Sequence, residues 1–259
     1  MTIQEARGSA RRANRRYLLA VAALLSLPAL LTLLAFGVLL TTPTDAMSIG
    51  TPLVVTPTAA APATPIPATN PDALVQAGLA AYEAGEFALA EQHFRSALEL
   101  APGEAVLHNA LGMALAQQNR TDEAISAYQA SMRLDPALAD AVYNLASAEH
   151  ALGRLAEAEA AYRRAIDLDP RLLPAYRSLG ALYAGRNEID LAALTLERAA
   201  ALAPADAWVR YDLGLVYLLQ GEPDKARQQL QQAEALAVDA DLAAKVRQQL
   251  AALHQQLAP

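Results

Sequence analysis

Four prolines, Pro102, Pro136, Pro170 and Pro204, stand 34 residues apart. Each closes a similar phrase: HFRSALELAP, AYQASMRLDP, AYRRAIDLDP and TLERAAALAP. A fixed period in this range marks a chain built from stacked supersecondary units rather than one globular core. Ala and Leu, the strongest helix formers, dominate a composition that is 54% hydrophobic with only three Phe and one Trp, so the units are read as helical.

With each proline at position 32, units start near 71, 105, 139, 173 and 207. Position 20 is then Ala90, Ala124, Ala158, Ala192 and Ala226, and position 8 is Gly78, Gly112, Ala146, Gly180 and Gly214. Position 27 is Ala97, Ser131, Ala165, Ala199 and Ala233, while position 24 is bulky: Phe94, Tyr128, Tyr162, Leu196 and Leu230. Small residues let two helices approach closely, and large ones fill the space beside them. Each unit therefore reads as helix A, at about positions 1–14, followed by an antiparallel helix B, at about 17–31.

Position 15 holds Gly85, Asn119, Gly153, Asn187 and Gly221, the two residue types that enter the left-handed conformation closing a helix. Asp122, Asp190 and Asp224 fall in the first turn of helix B, where the helix dipole favours negative charge. The proline then ends helix B. The last segment, about 240–257, places Leu242, Val246, Leu250, Leu253 and Leu257 at helical spacing and is expected to cap the stack.

This register resembles the tetratricopeptide repeat family, with small residues at 8, 20 and 27 and proline at 32, over residues 72–259. The resemblance implies an all-α fold: a right-handed α-solenoid of five helical hairpins plus a capping helix. It also implies a non-catalytic domain that binds a protein or peptide in a concave groove lined by positions 2, 5, 6, 9, 12 and 13 of helix A. The candidate groove residues are Asn109, Met113, Gln117, Tyr143, Asn144, Ser147, His150, Arg177, Trp208, Tyr211, Asp212 and Leu215. Val75, Leu79 and Tyr82 belong to the first unit, and Ala181 and Ala184 to the fourth.

Some members of the family clamp a terminal carboxylate with lysines, an arginine and asparagines. Asn144 and Arg177 match, but the only lysines of the chain are Lys225 and Lys245, so such a clamp is not expected. Trp208 has two readings of equal weight, an anchor for a ligand or a cover for the join between units four and five.

Three zones precede this domain. Residues 1–16 are basic. Residues 17–40, YLLAVAALLSLPALLTLLAFGVLL, are uncharged and would span roughly 36 Å as a transmembrane helix. Arg7, Arg11, Arg12, Arg15 and Arg16 before the span place the N-terminus in the cytoplasm and the repeats on the periplasmic or extracellular face. Cleavage as a secretory signal is the competing reading, although such apolar regions are usually about 7–15 residues. Residues 41–71 carry seven Pro and eight Thr and read as an extended linker. This layout resembles envelope proteins of bacteria that assist assembly, secretion or cytochrome c maturation. A self-associating structural protein of the envelope is the alternative.

The chain has 20 basic and 27 acidic residues; five and two of these precede Pro71, leaving 15 against 25. So acidic a domain repels phosphate backbones, and no nucleic acid partner is expected. With no cysteine and with His93, His108, His150 and His254 dispersed, no metal site or cofactor is expected either. No assembled catalytic constellation is found, and the chain is not read as an enzyme. Glu149 replaces an aromatic at position 11 and is expected to turn outward or to meet Arg154. Asn119-Arg120-Thr121 matches a glycosylation sequon, but reads more simply as a helix stop followed by an N-capping threonine.

Overall fold

The computed structural model describes residues 70–257. The basic segment, the apolar run 17–40 and all but the last two residues of the linker lie outside the described residues. Eleven helices and no strands occur among those described. Helices α1 (Pro71–Glu83), α3 (Ala105–Gln117), α5 (Ala139–Ala151), α7 (Leu173–Gly185) and α9 (Ala207–Leu219) are the A helices. Their partners are α2 (Phe87–Leu100), α4 (Thr121–Leu134), α6 (Leu155–Leu168), α8 (Ile189–Leu202) and α10 (Pro223–Leu236), and α11 (Ala240–Leu257) follows. Each helix packs against its neighbours in sequence, and successive A helices touch across the stack. Asn70 and Pro71, assigned above to the linker, open the first unit instead. Asn70 caps α1 by accepting from the Asp72 and Ala73 amides, and Pro71 supplies the preset first residue.

The small positions are where the hairpins close. Position 20 alanines and position 27 residues are fully buried in all five units, and the position 24 side chains they flank are buried too. Ser131, the polar exception, donates to the Ala105 carbonyl at 2.7 Å, which satisfies its hydroxyl. A methyl group added at Gly112 would lie 2.5 Å from the Tyr128 ring, and one at Gly180 2.9 Å from Leu196. The requirement at position 8 is thus proximity, not turning.

The turn between A and B is where conformation matters. Gly85, Gly153 and Gly221 have φ near +75°, and Asn119 and Asn187 have φ of +61°. The next amide donates to a carbonyl in the last turn of helix A: Glu86 to Ala81, Arg120 to Leu115, Arg154 to Glu149, Glu188 to Tyr183 and Glu222 to Tyr217. This closure satisfies the last carbonyls of each A helix. It also corrects the reading of Thr121. Thr121 is the first residue of α4, Arg120 is the N-cap, and no side chain caps that helix, because the turn already fixes the entry of the chain.

Each of α2, α4, α6 and α8 ends two residues before its proline. The carbonyl of that proline is then bonded by a side chain at every such join. His108 Nε2 reaches Pro102, Arg164 reaches Pro136, Tyr176 reaches Pro170 and Arg210 reaches Pro204, at 3.1–3.3 Å.

Helix α11 occupies the place of a sixth A helix. Leu242, Val246, Leu250 and Leu253 are buried on α9 and α10 or beside them, as the apolar stripe predicts. At its position 8 the small residue is replaced by exposed Gln248, since no helix B follows to press against it. Among the described residues no helix is long and apolar enough to cross a membrane.

Candidate interaction groove

The faces of the A helices at positions 2, 5, 6, 9, 12 and 13 form one continuous surface, and side chains from adjacent units meet beneath it. Position 5 of one unit touches position 6 of the next, a step of 35 residues. Asn144 Nδ2 donates to Asn109 Oδ1 at 2.9 Å, the hydroxyls of Tyr143 and Ser178 lie 3.5 Å apart, and Arg177 Nε donates to Asp212 Oδ2 at 2.5 Å. The first and last joins put apolar residues at the same places, Val75 with Ala110 and Tyr211 with Val246, within shared core clusters. The groove is therefore polar in the middle and apolar at both ends.

Five of the twelve candidate residues lie inside these joins. Asn109, Met113, Tyr143, Asn144 and Tyr211 are buried, and their role is to fix one unit on the next. Asn109 also turns its amide toward Met113 Sδ at 3.9 Å, so both asparagines are engaged. Gln117, Ser147, His150, Arg177, Trp208, Asp212 and Leu215 stay partly exposed and can meet a ligand.

Arg177 is not a free cation. It and Asp212 keep only 13% and 12% of their side chains exposed. Burial pushes the Asp212 carboxyl up from its usual value, and the Arg177 guanidinium opposes that rise. Arg177 also lies over the Trp208 ring, 5.1 Å from its centroid, and Lys245 of α11 lies 5.3 Å from the same ring. Trp208 packs edge-on to Tyr211 as well. It thus ties unit four, unit five and α11 together, the cover of the two readings offered for it, while part of it remains accessible.

At the centre, Tyr162 donates to Ser147 at 3.3 Å, and Ser147 donates to the Tyr143 carbonyl. His150 packs edge-on to Tyr162, and its Nδ1 is buried without a partner. Burial accordingly lowers the His150 pKa. In the first join, burial pushes the Tyr82 hydroxyl up, with Gln117 beside it acting in the opposite sense.

Away from the groove, two carboxylates bind units together. Glu91 of α2 receives Arg120 at 2.7 and 2.8 Å, Gln118 at 2.8 Å and Arg95 at 2.5 Å. Burial opposes its charge, but the bonds from Gln118 and Arg120, with the charges of Arg95 and Arg120, hold the carboxyl below the usual range. Glu159 plays the equivalent part with Arg163, Arg186 and Tyr183. Glu149 meets Arg154 at 2.8 Å, as its position in the sequence suggested.

Helical hairpins stacked one on the next in chain order define an α-solenoid. Tetratricopeptide repeat models match residues 71–104, 109–172 and 195–228, about half of the chain. The chain belongs to the tetratricopeptide repeat family. A peroxisomal targeting signal receptor of Kluyveromyces lactis is 36% identical over 88 residues, which is 34% of this chain and 16% of the receptor. The chain thus spans about a sixth of that relative's length. A thermophilic repeat protein of Thermus thermophilus superposes with a TM-score of 0.60 at 23% identity, covering 70% of this chain and 99% of that one. YrrB, described as having an unusual peptide-binding site, gives 0.51 at 20% identity, with 68% and 90% covered. Both structural likenesses concern the fold.

Proposed function

We propose that the protein is a non-catalytic scaffold that holds a protein or peptide partner in the groove of its repeats, displayed from a membrane by the apolar run 17–40. What carries the reading is one arrangement. The A helices are locked together from beneath by Asn109–Asn144 and Arg177–Asp212, leaving part of Ser147, His150 and Leu215 exposed along the same face. A preformed surface loses little entropy when a chain docks on it. The descriptions of the relatives, a targeting-signal receptor and a repeat protein with a peptide-binding site, agree with this use.

The basic residues before the apolar run support a cytoplasmic N-terminus with the repeats on the far side of the membrane, where envelope assembly, secretion or cytochrome c maturation would supply partners. Photo-crosslinking residues placed at Ser147 and Leu215 in living cells should each yield a discrete adduct absent from a site at exposed Gln129. No adduct, or the same adducts from all three sites, would overturn the scaffold reading. Retention of the full chain in carbonate-washed membranes tests the anchor, and its release as a shortened chain would establish cleavage.

A second reading has its own observation. On α8, Leu191, Leu194 and Leu202 leave 42–46% of their surface exposed. Such a strip favours self-association, which light scattering of the purified protein would detect as a concentration-dependent mass.

A further inference from the structure

The six groove positions of the five units contain only five charged residues: Asp72, Glu83, Asp140, Arg177 and Asp212. Four carboxylates thus stand against one guanidinium, and that guanidinium is already closed on Asp212. Among the described residues, no free cation faces a ligand from these positions.

Asp140 is the informative member. It lies one turn before Asn144 on α5, so the two share the groove face. Among the described acidic residues that are at least partly buried, it alone has neither an ion pair nor a side-chain hydrogen bond. Glu91, Glu149, Glu159, Glu188 and Asp212 are all paired with arginines, and Asp206 caps α9. Burial, and then the nearby charge of Asp169, raise the Asp140 pKa. The dipole of α5 accounts for an acid in its first turn, but not for one left half-buried beside a second carboxylate.

Two units further on, the surface changes character. Leu215, Leu218 and Leu219 follow Trp208 along α9, and Leu219 is 49% exposed. Beside them α7 offers Ala181, Ala184 and Gly185, small enough for a peptide backbone to come close.

We infer that the groove takes an extended segment with a basic side chain at Asp140 and an aliphatic one on the α9 strip. This rests on the scaffold reading above and names the chemistry of its partner. An acidic segment would meet Asp140 and no unpaired cation at the groove positions of the five units. Lys245 of α11, which stands over Trp208, is paired with Asp241 at 2.6 Å, so the groove favours a basic residue at Asp140. Two steps between neighbouring A helices of about 8–10 Å each, with a rise of roughly 10–16 Å along the helices from position 2 to positions 9–13, put the two subsites roughly 20–25 Å apart. An extended chain covers that in about seven residues.

The test uses the full-length protein and its sole tryptophan, Trp208, which sits at the aliphatic subsite and reports its occupancy. Three blocked peptides serve as probes. The first carries an arginine and, about seven residues on, two leucines; the second has glutamate for the arginine, and the third alanine for the leucines. The first should shift the Trp208 emission saturably, with the second binding at least about ten-fold more weakly. The third should bind more weakly than the first as well. The gap between the first two should narrow as salt rises. Asp140→Asn should bring these two peptides to within about two-fold of each other without changing the helical circular dichroism. Leu215→Ser should weaken both. Equal binding of the arginine and glutamate peptides, or a preference that survives Asp140→Asn, overturns the inference, while adducts from Ser147 and Leu215 would still uphold the scaffold. If no peptide binds, the inference falls, and the scaffold falls with it only if those adducts are also absent.

Discussion

Arg177 and Asp212, 35 positions apart in sequence, close a 2.5 Å ion pair that joins the fourth and fifth units beneath the groove. The pair is nearly shielded from solvent, so each charge depends on the other. Removing one partner leaves an uncompensated charge in place, whereas removing both leaves a void that apolar atoms can fill.

Arg177→Ala should therefore destabilise the protein by about 3 kcal/mol, and Asp212→Ala by a similar amount. Arg177→Met combined with Asp212→Leu should recover most of that loss. Urea denaturation followed by circular dichroism measures all three. A double variant as unstable as the sum of the single ones would show that the pair acts through something other than its mutual charge.

Gly112→Ala drives a methyl group to within 2.5 Å of the Tyr128 ring and should cost about 1–3 kcal/mol. The third unit already carries Ala146 at this position, beside Tyr162, so Ala146→Gly should cost only about 1 kcal/mol from lost helix propensity and packing. Thermal melts of the two variants should separate clearly, with Gly112→Ala the lower.

Asn119 holds φ of +61° at the turn into α4. Replacing it with glycine, the residue at three of the equivalent turns, should leave stability unchanged or raise it by up to about 1 kcal/mol. Asn119→Ala should lower it by about 1 kcal/mol, since alanine has neither the freedom of glycine nor the side chain of asparagine. Both are read from denaturation midpoints.

His150 and Glu91 each make stability fall as pH drops, in separate windows. The His150 ring is held below its ordinary pKa by burial, so the unfolded chain takes up that proton first. Stability should then fall as pH drops through about 6.5, and His150→Gln should flatten this part of the profile. Glu91 is a carboxylate held below its ordinary value, so its contribution is complete above about pH 4.3 and is lost as acid protonates it in the folded state. Glu91→Gln should shrink that lower limb while sparing the upper one. Denaturation midpoints at half-unit pH steps would resolve the two.

Much of the fold was legible because a few positions admit few residues. Alanine at position 20 and glycine or asparagine at position 15 answer to contact distance and backbone conformation, which are the same in every unit. The joins were not legible for the opposite reason. Their ladder runs at 35 rather than 34 and uses a different pair each time, asparagines, then hydroxyls, then an ion pair. The proline carbonyls are likewise served by His108, Arg164, Tyr176 and Arg210, unlike side chains drawn from two positions of the unit. Only their shared length and hydrogen-bonding ends could have hinted at it. Thr121 misled because its neighbours match a cap motif, while the backbone closure at the preceding turn made that cap unnecessary. Of the groove, the family resemblance offered a set of helix A positions, but not that Asn109 and Asn144 would face each other.

Because the central joins are each sealed by a different pair, the five units are not interchangeable bricks. A copying slip that excised residues 173–206 would keep the period and the hairpins, yet it would bring Tyr143 opposite Asp212 and strand a carboxylate without its guanidinium. A gene of this kind would be expected to resist the expansion and contraction to which tandem arrays are prone, its length fixed by the side chains at its seams.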